Sequence, residues 1–207
     1  MNPPLTAVPI PTSGPETPLS SPSESALGTT LSANEQDADL IGRVLAGERS
    51  AFDELVGLHS PRVFRFLYQF VRHRQDAEDL TQHTFVKAYQ HLAGFDLRRP
   101  LINWLLTIAR RSALNHFRAA RRWEPISDLD ADHTPGPAAL AEQTEQTRNL
   151  WDQARAELSP REFEVLWLRF GEDLSTAETA RICGLTQPHI KILVYRAKRT
   201  LAKGVKT

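Results

Sequence analysis

The sequence predicts an all-α protein: two small helical domains joined by a flexible acidic linker, the second ending in a helix-turn-helix. Three observations carry this. Apolar residues recur at helical spacing over 36–122, and no strand-like alternation appears anywhere. An acidic stretch holding Pro125, Pro135, Gly136 and Pro137 divides the chain near its middle. The last quarter carries two capping boxes, a glycine stop and a basic final helix.

In chain order, residues 1–35 come first. Half of the prolines fall before Asn34, among many Ser and Thr, so this segment is expected to be a disordered tail that cannot offset its ordering entropy. Residues 36–122 follow as a helical bundle. Leu40, Ile41, Val44 and Leu45 form one stripe, and Phe52, Leu55 and Val56 the next. Ser60-Pro61 predicts a break or kink, after which Val63, Phe64, Leu67, Phe70 and Val71 resume. Asp76 is the expected cap of a helix containing Leu80, Thr84, Ala88 and Leu92. Gly94 and Pro100 bracket a loop before the helix of Leu101, Leu105, Ile108 and Ser112. Residues 123–146 are the linker, and 147–207 the second domain of four short helices. There Ser159-Pro160-Arg161-Glu162 and Ser175 with Glu178 open helices, Gly184 closes one, and Thr186 is suited to cap the last.

The net charge is zero over 207 residues, but it sums unlike parts. Residues 1–35 carry −3, 36–122 carry +5, 123–148 carry −5 and 149–207 carry +3. Basic blocks set between acidic connectors leave polyanion binding open despite the neutral total. A single cysteine excludes an internal disulfide and a Cys-based metal cluster, and Cys183 reads as a buried structural thiol. No apolar run reaches membrane-span length and no signal peptide is evident, so no membrane insertion and a cytoplasmic location are the default expectations.

The helix after Pro100 presents Asn103, Thr107, Arg110, Arg111, Arg118, Arg121 and Arg122 opposite its apolar side. Guanidinium groups without local acids point to phosphate binding, with a solvated basic face as the alternative. Before it, Phe95, Arg98, Arg99 and Pro100 suit either a site for unstacked bases or an ordinary loop with Phe95 in the core. Asp79, Gln82, His83 and Val86 should form the outer face of their helix, a polar surface with one exposed valine that suits a protein partner. No nucleophile–base pair, phosphate-cradling glycine loop or metal-ligand cluster stands out, so no catalytic or metal residues and no cofactor are assigned, and an enzyme is not expected.

Ala46-Gly-Glu-Arg-Ser-Ala-Phe, Asp76-Ala-Glu-Asp-Leu-Thr-Gln, Trp104-Leu-Leu-Thr-Ile-Ala-Arg and the terminal helix-turn-helix, in this order, resemble the extracytoplasmic-function sigma factors of bacteria. The resemblance spans about 37–122 and 147–204. It implies an initiation factor whose partners are core RNA polymerase and promoter DNA, with an anti-sigma factor as a further candidate. The first domain would open the minus-ten element, and the second would read the minus-thirty-five element. Asp76, Glu78, Asp79, Leu80 and Gln82 match the segment that docks on the polymerase clamp, with His83 and Val86 beside them. Trp104, Ile108, Ala109 and Arg110 match the melting helix, and Phe95 to Asn103 the loop that receives a flipped base. Gln187, His189, Lys191, Ile192, Arg196, Lys198 and Arg199 fall on the recognition helix.

The chain departs from the family pattern in several places. His83 stands where Glu is usual, and Thr107 and Arg111 stand where Arg and Asn are commoner. Thr179 replaces a buried Ile. Ile192 and Leu193 are expected to point partly outward, into a groove or onto a partner, where apolar contacts suit thymine methyls. A helix-turn-helix regulator binding duplex operators as a dimer, and a degenerate sigma-like adaptor, are the competing readings.

Overall fold

The computed structural model describes residues 24–123 and 145–204, with side chains over 34–119, at 147 and over 149–203. The tail before Glu24, the linker 124–144 and the side chains of Arg121 and Arg122 lie outside the described residues. Eight α-helices and no strand occur among them: α1 (Glu24–Leu45), α2 (Arg49–Val71), α3 (Arg74–His91), α4 (Leu101–Trp123), α5 (Glu145–Glu157), α6 (Pro160–Leu166), α7 (Thr176–Cys183) and α8 (Gln187–Gly204). A 3₁₀ turn, Leu92–Gly94, follows α3, and a π-helical turn, Trp167–Gly171, extends α6.

Helices α1–α4 pack as the first bundle, where α2 touches α1, α3 and α4. Its buried stripes repeat at three and four residues: Val63, Phe66 and Leu67 on α2; Ala77, Leu80, Thr84 and Ala88 on α3; Leu101, Leu105, Leu106, Ala109 and Ala113 on α4. Each large apolar side chain buried this way contributes about 1.5–3 kcal/mol. The buried Thr81 and Thr84 hydroxyls donate to the carbonyls of Ala77 (2.6 Å) and Leu80 (2.7 Å), so neither enters the core unsatisfied. His59 Nε2 lies 2.8 Å from Asp37 Oδ1, a largely buried contact that ties α1 to α2.

Three local expectations are corrected. Helix α1 begins at Glu24, inside the stretch expected to be disordered; the last tail proline is Pro22, and the residues after it contain no proline to stop a helix. Helix α2 runs unbroken through Pro61, because the lost backbone donor is outweighed by the buried Val63, Phe66 and Leu67 beyond it. Helix α3 starts three residues earlier than expected: His73 is its cap, with Nδ1 accepting from the Asp76 N–H at 3.4 Å. Asp76 sits in the first turn, where its charge complements the helix end.

The second bundle is α5–α8, with α8 against α5, α6 and α7. Both predicted capping boxes form, Ser159 with Glu162 and Ser175 with Glu178. Gly184, at φ 65°, closes α7 in the left-handed region where a Cβ is unfavourable. Trp167 fills the centre, edge-on to Trp151 (4.7 Å between centroids). The π turn folds back so tightly that a Cβ on Gly171 would lie 2.8 Å from the Trp167 ring. Cys183 is buried, and burial pushes its thiol up to about 12, as expected for a structural residue.

The two bundles also pack on one another, chiefly where α7 lies along α4.

Candidate nucleic-acid interface

Helix α8 buries Ile190, Leu193 and Ala197 at steps of three and four. This leaves Gln187, His189, Lys191, Ile192, Arg196, Lys198 and Arg199 exposed. Leu193 corrects an expectation: it is only 6 % exposed, because it falls on the same face as Ile190 and Ala197 rather than beside Ile192. Ile192 does point outward, at 50 % exposure. With Tyr195 and Arg199 it forms a stripe at steps of three and four along the middle of the exposed side. Tyr195 is a surface residue that the sequence motifs miss, although its spacing from Ile192 signals it. Lys198 lies at the flank, its ammonium 4.7 Å from the Phe170 ring centroid, an attraction that steadies this long side chain.

The loop before α4 presents Phe95 against Trp104, centroids 5.0 Å apart. Arg98 and Arg99 are exposed and share Asp96, at 2.9 and 3.4 Å. Hydrogen bonds from Arg98 hold the Asp96 carboxyl below its ordinary value. A cavity of about 400 Å³ lies between this loop, α4 and α7, with Phe95, Arg99, Asn103, Trp104, Arg111 and Arg181 among its walls.

On α4 the basic row divides. Arg111 and Arg118 are exposed. Arg118 donates to Asn115 (3.2 Å), and among the described residues neither Arg118 nor Arg111 has an ion pair. The Thr107 hydroxyl donates back to the Asn103 carbonyl at 2.8 Å. Arg110 lacks an acidic partner along the sequence but has one in space: its guanidinium grips Glu164 of α6 with both Nε and Nη2. Asn103 Nδ2 donates to Glu178 Oε1 of α7 at 2.7 Å. These partners are 54 and 75 residues away, beyond the reach of local spacing.

The second bundle holds the first elsewhere too. Arg62 donates to the Glu172 carboxylate (2.7 Å) and carbonyl (2.8 Å), and Arg65 lies 3.7 Å from the same carboxylate. Arg72 pairs with Asp152 at 3.2 Å. Arg155 donates to Gln69 at 2.8 Å and lies over the Phe163 ring. Burial lowers the Arg155 guanidinium to about 10, which still leaves it charged at neutral pH. Arg62, Arg65 and Gln69 occupy one face of α2 at steps of three and four, and Arg72 is the left-handed residue that caps the helix (φ 54°).

On α3, Asp79, Gln82, His83 and Val86 form an exposed outer face, as the spacing predicts. Asp76 and Glu78 are half-buried, Asp76 between His73 and His116 (3.6 and 3.5 Å) and Glu78 paired with Arg74 (2.8 Å). Beside this face runs an apolar groove of about 610 Å³ between α2 and α3. Phe52, Val56, Phe85, Val86 and Tyr89 line it, with Gln82 at the same opening. Phe52 and Tyr89 meet edge-on at 4.9 Å. Periodicity alone does not reveal this groove, because it places Phe52 wholly in a core stripe.

Among the described residues no group of three or more His, Cys, Asp or Glu is placed to hold a metal, and no helix is long and apolar enough to cross a membrane.

Residues 55–123 match sigma-70 region 2, and residues 148–201 match sigma-70 region 4. The chain is 36% identical over 172 residues to the ECF RNA polymerase sigma factor BldN of Streptomyces coelicolor, covering 80% of this chain and 64% of that protein. It is 30% identical over 190 residues to the RNA polymerase sigma-H factor of Pseudomonas aeruginosa, covering 83% and 94%. In fold it is similar to the sigma factor RpoE solved with the anti-sigma factor NepR from Bartonella quintana. That likeness has a TM-score of 0.57 at 24% identity and covers 75% of this chain and 97% of that one. The two matched regions stand in the same order as the two helical bundles, and the chain belongs to the sigma-70 family of RNA polymerase sigma factors, in its extracytoplasmic-function group.

Proposed function

We propose that this chain joins core RNA polymerase and directs it to a defined set of promoters. In this reading the work is divided at the linker 123–146: the domain of 36–122 docks on polymerase and opens the minus-ten element, and that of 147–207 reads the minus-thirty-five element. One observation carries it. Three surfaces of different chemistry occur in one chain: a polar α3 face beside an apolar groove, an aromatic and guanidinium-rich loop with α4, and a cationic α8. A dimeric repressor needs only the last.

Asp79, Gln82, His83 and Val86 make the polymerase contact, extended by Tyr89 in the groove. Phe95, Trp104, Arg98 and Arg99 receive the unstacked strand, and Arg110, Arg111 and Arg118 hold its phosphates. Lys191, Arg196 and Arg199 approach duplex phosphates or guanine edges, and Ile192 and Tyr195 offer apolar contact. The chemistry of transcription stays with the polymerase, so the chain is not an enzyme, needs no cofactor and acts in the cytoplasm. An anti-sigma factor is a further partner of this reading, since the Bartonella relative was solved with one.

Run-off transcription with purified core polymerase on a genomic DNA library tests the reading. Transcripts whose start sites share upstream elements are expected. No transcript above core enzyme alone overturns it. A sigma-like adaptor is the second reading, favoured by the apolar pair Ile192 and Tyr195 on α8; it expects a bound protein partner and no contact of α8 with DNA.

A further inference from the structure

Near the C-terminal ends of α2 and α4 the two bundles enclose a cavity of about 320 Å³. Phe70 of α2 and Phe117 of α4 line it from the first bundle; Leu158, Pro160 and Phe163 line it from the second, and Arg155 of α5 completes the wall. It shares no residue with the cavity beside Phe95 and Trp104. Sites that hold small organic ligands enclose about 300–1,000 Å³ and pair apolar walls with a few placed polar groups. Here five apolar residues surround one guanidinium.

That guanidinium lacks a counter-charge. Its Nη2 donates to the neutral Gln69 amide at 2.8 Å, and its central carbon lies 4.1 Å from the Phe163 ring centroid. Its Nε is buried without a hydrogen-bond partner. Asp152, whose charge attracts it, is already paired with Arg72 at 3.2 Å, and Arg72 repels it. A buried cation left in this condition is costly, and an anion entering the cavity removes the cost. The surroundings carry the same sign. An adjoining cavity of about 340 Å³ shares Phe70, Phe117 and Pro160, and adds Arg110, Arg118 and Arg161 against the single carboxylate of Glu164.

We propose that the cavity is a binding site for a small organic acid, with a compact aromatic body between Phe70, Phe117 and Phe163 and one anionic head at Arg155. Both parts are required. A neutral molecule of the same shape gains the walls without the counter-charge, and an inorganic anion gains the counter-charge without the walls. The site is independent of the promoter reading, since none of its six residues belongs to the surfaces assigned to polymerase or DNA.

The test uses the full chain and two fluorescent probes that differ in one group: anilinonaphthalene sulfonate, and phenylnaphthylamine, which has the same rings and no sulfonate. Fluorescence titration should show one saturable site that takes the sulfonate about tenfold more tightly than the amine, the effect of one charge-assisted hydrogen bond at a buried cation. Amide shifts in nuclear magnetic resonance spectra should cluster at Phe70, Phe117 and from Arg155 to Phe163. Arg155→Met keeps an apolar stem and loses the charge. It should weaken the sulfonate about tenfold and leave the amine unchanged, with circular dichroism to check that the helices persist. Inorganic phosphate should not displace the sulfonate. Equal affinity of the wild type for the two probes overturns the proposal, and this comparison needs no variant to fold. Shifts confined to the α2–α3 groove or to the surface between α5 and α8 overturn it too, as does unchanged sulfonate binding in a helical Arg155→Met chain.

Discussion

Arg110 of α4 and Glu164 of α6 form a two-pronged ion pair across the domain boundary, their side chains only 11% and 7% exposed. Arg161 reaches the same carboxylate from 3.2 Å, so one guanidinium from each domain shares the single charge of Glu164. A side chain so engaged is not available to another anion while the two domains stay packed. Arg111 and Arg118 belong to the same basic row but are exposed and have no carboxylate partner among the described residues.

The α3 face gives the most direct test of polymerase docking. Asp79 is exposed, and its carboxylate accepts a hydrogen bond from Gln75 at 3.3 Å. Asp79→Arg should abolish retention of core polymerase in a pull-down while shifting stability by no more than about 0.5 kcal/mol. Wild-type retention would remove this face from the docking site.

Arg111→Ala with Arg118→Ala should weaken promoter opening at every promoter alike and leave the domain seam untouched. The slope of affinity against salt should become shallower by about one unit for each phosphate no longer bound. Permanganate footprinting over a salt series reads both effects, and an unchanged slope would return these residues to bulk solvent.

On α8, Lys191→Ala should lower use of all upstream elements, by about 1–3 kcal/mol if the lysine meets a base edge. Ile192→Ser should alter preference only at thymine-rich positions, since it removes an apolar surface and no charge. Transcription from a library randomised upstream separates the two. An identical profile for Ile192→Ser and wild type would show that Ile192 does not read DNA.

Gly171→Ala should cost about 1–3 kcal/mol of stability, because its Cβ meets the Trp167 ring at 2.8 Å and that ring is wholly buried. Urea unfolding provides the measurement; an unshifted midpoint would mean that the π turn can relax.

The Glu178 carboxyl answers to opposing influences. Burial pushes it up, and hydrogen bonds from Ser175 and from Asn103 outweigh burial and hold it below the ordinary value of 4.5. A carboxyl held down in the folded chain contributes stability that is complete above 4.5 and drains away as pH falls through its lower folded value. Urea midpoints measured downward from pH 7 should therefore fall less steeply below 4.5 in Glu178→Gln than in wild type.

Helix type and capping are legible in the sequence because they depend on near neighbours. Ser159, Ser175 and Gly184 each announce their role within four residues, and the exposed faces of α3 and α8 follow from spacing. Leu193 is misplaced when its side of α8 is judged from Ile192 next to it rather than from Ile190 and Ala197 three and four positions away. The domain seam is not legible. Arg110 looks like any member of a basic row, and Glu172 like any turn acid, until a chain reversal brings them to partners 54 and 110 residues distant.

The continuity of α2 through Pro61 sets a ruler between the two DNA-reading units. Arg62, Arg65 and Gln69 reach the second domain because one helical pitch spaces them along a single line, and Arg72 follows as the cap of the same helix. A single residue inserted between Arg65 and Gln69 would swing the later pair about 100° around the axis and part the domains, although every partner kept its identity. Substitutions there trim the seam one group at a time. Length changes cancel it whole, so the register of this one helix is the dimension on which the closed packing depends.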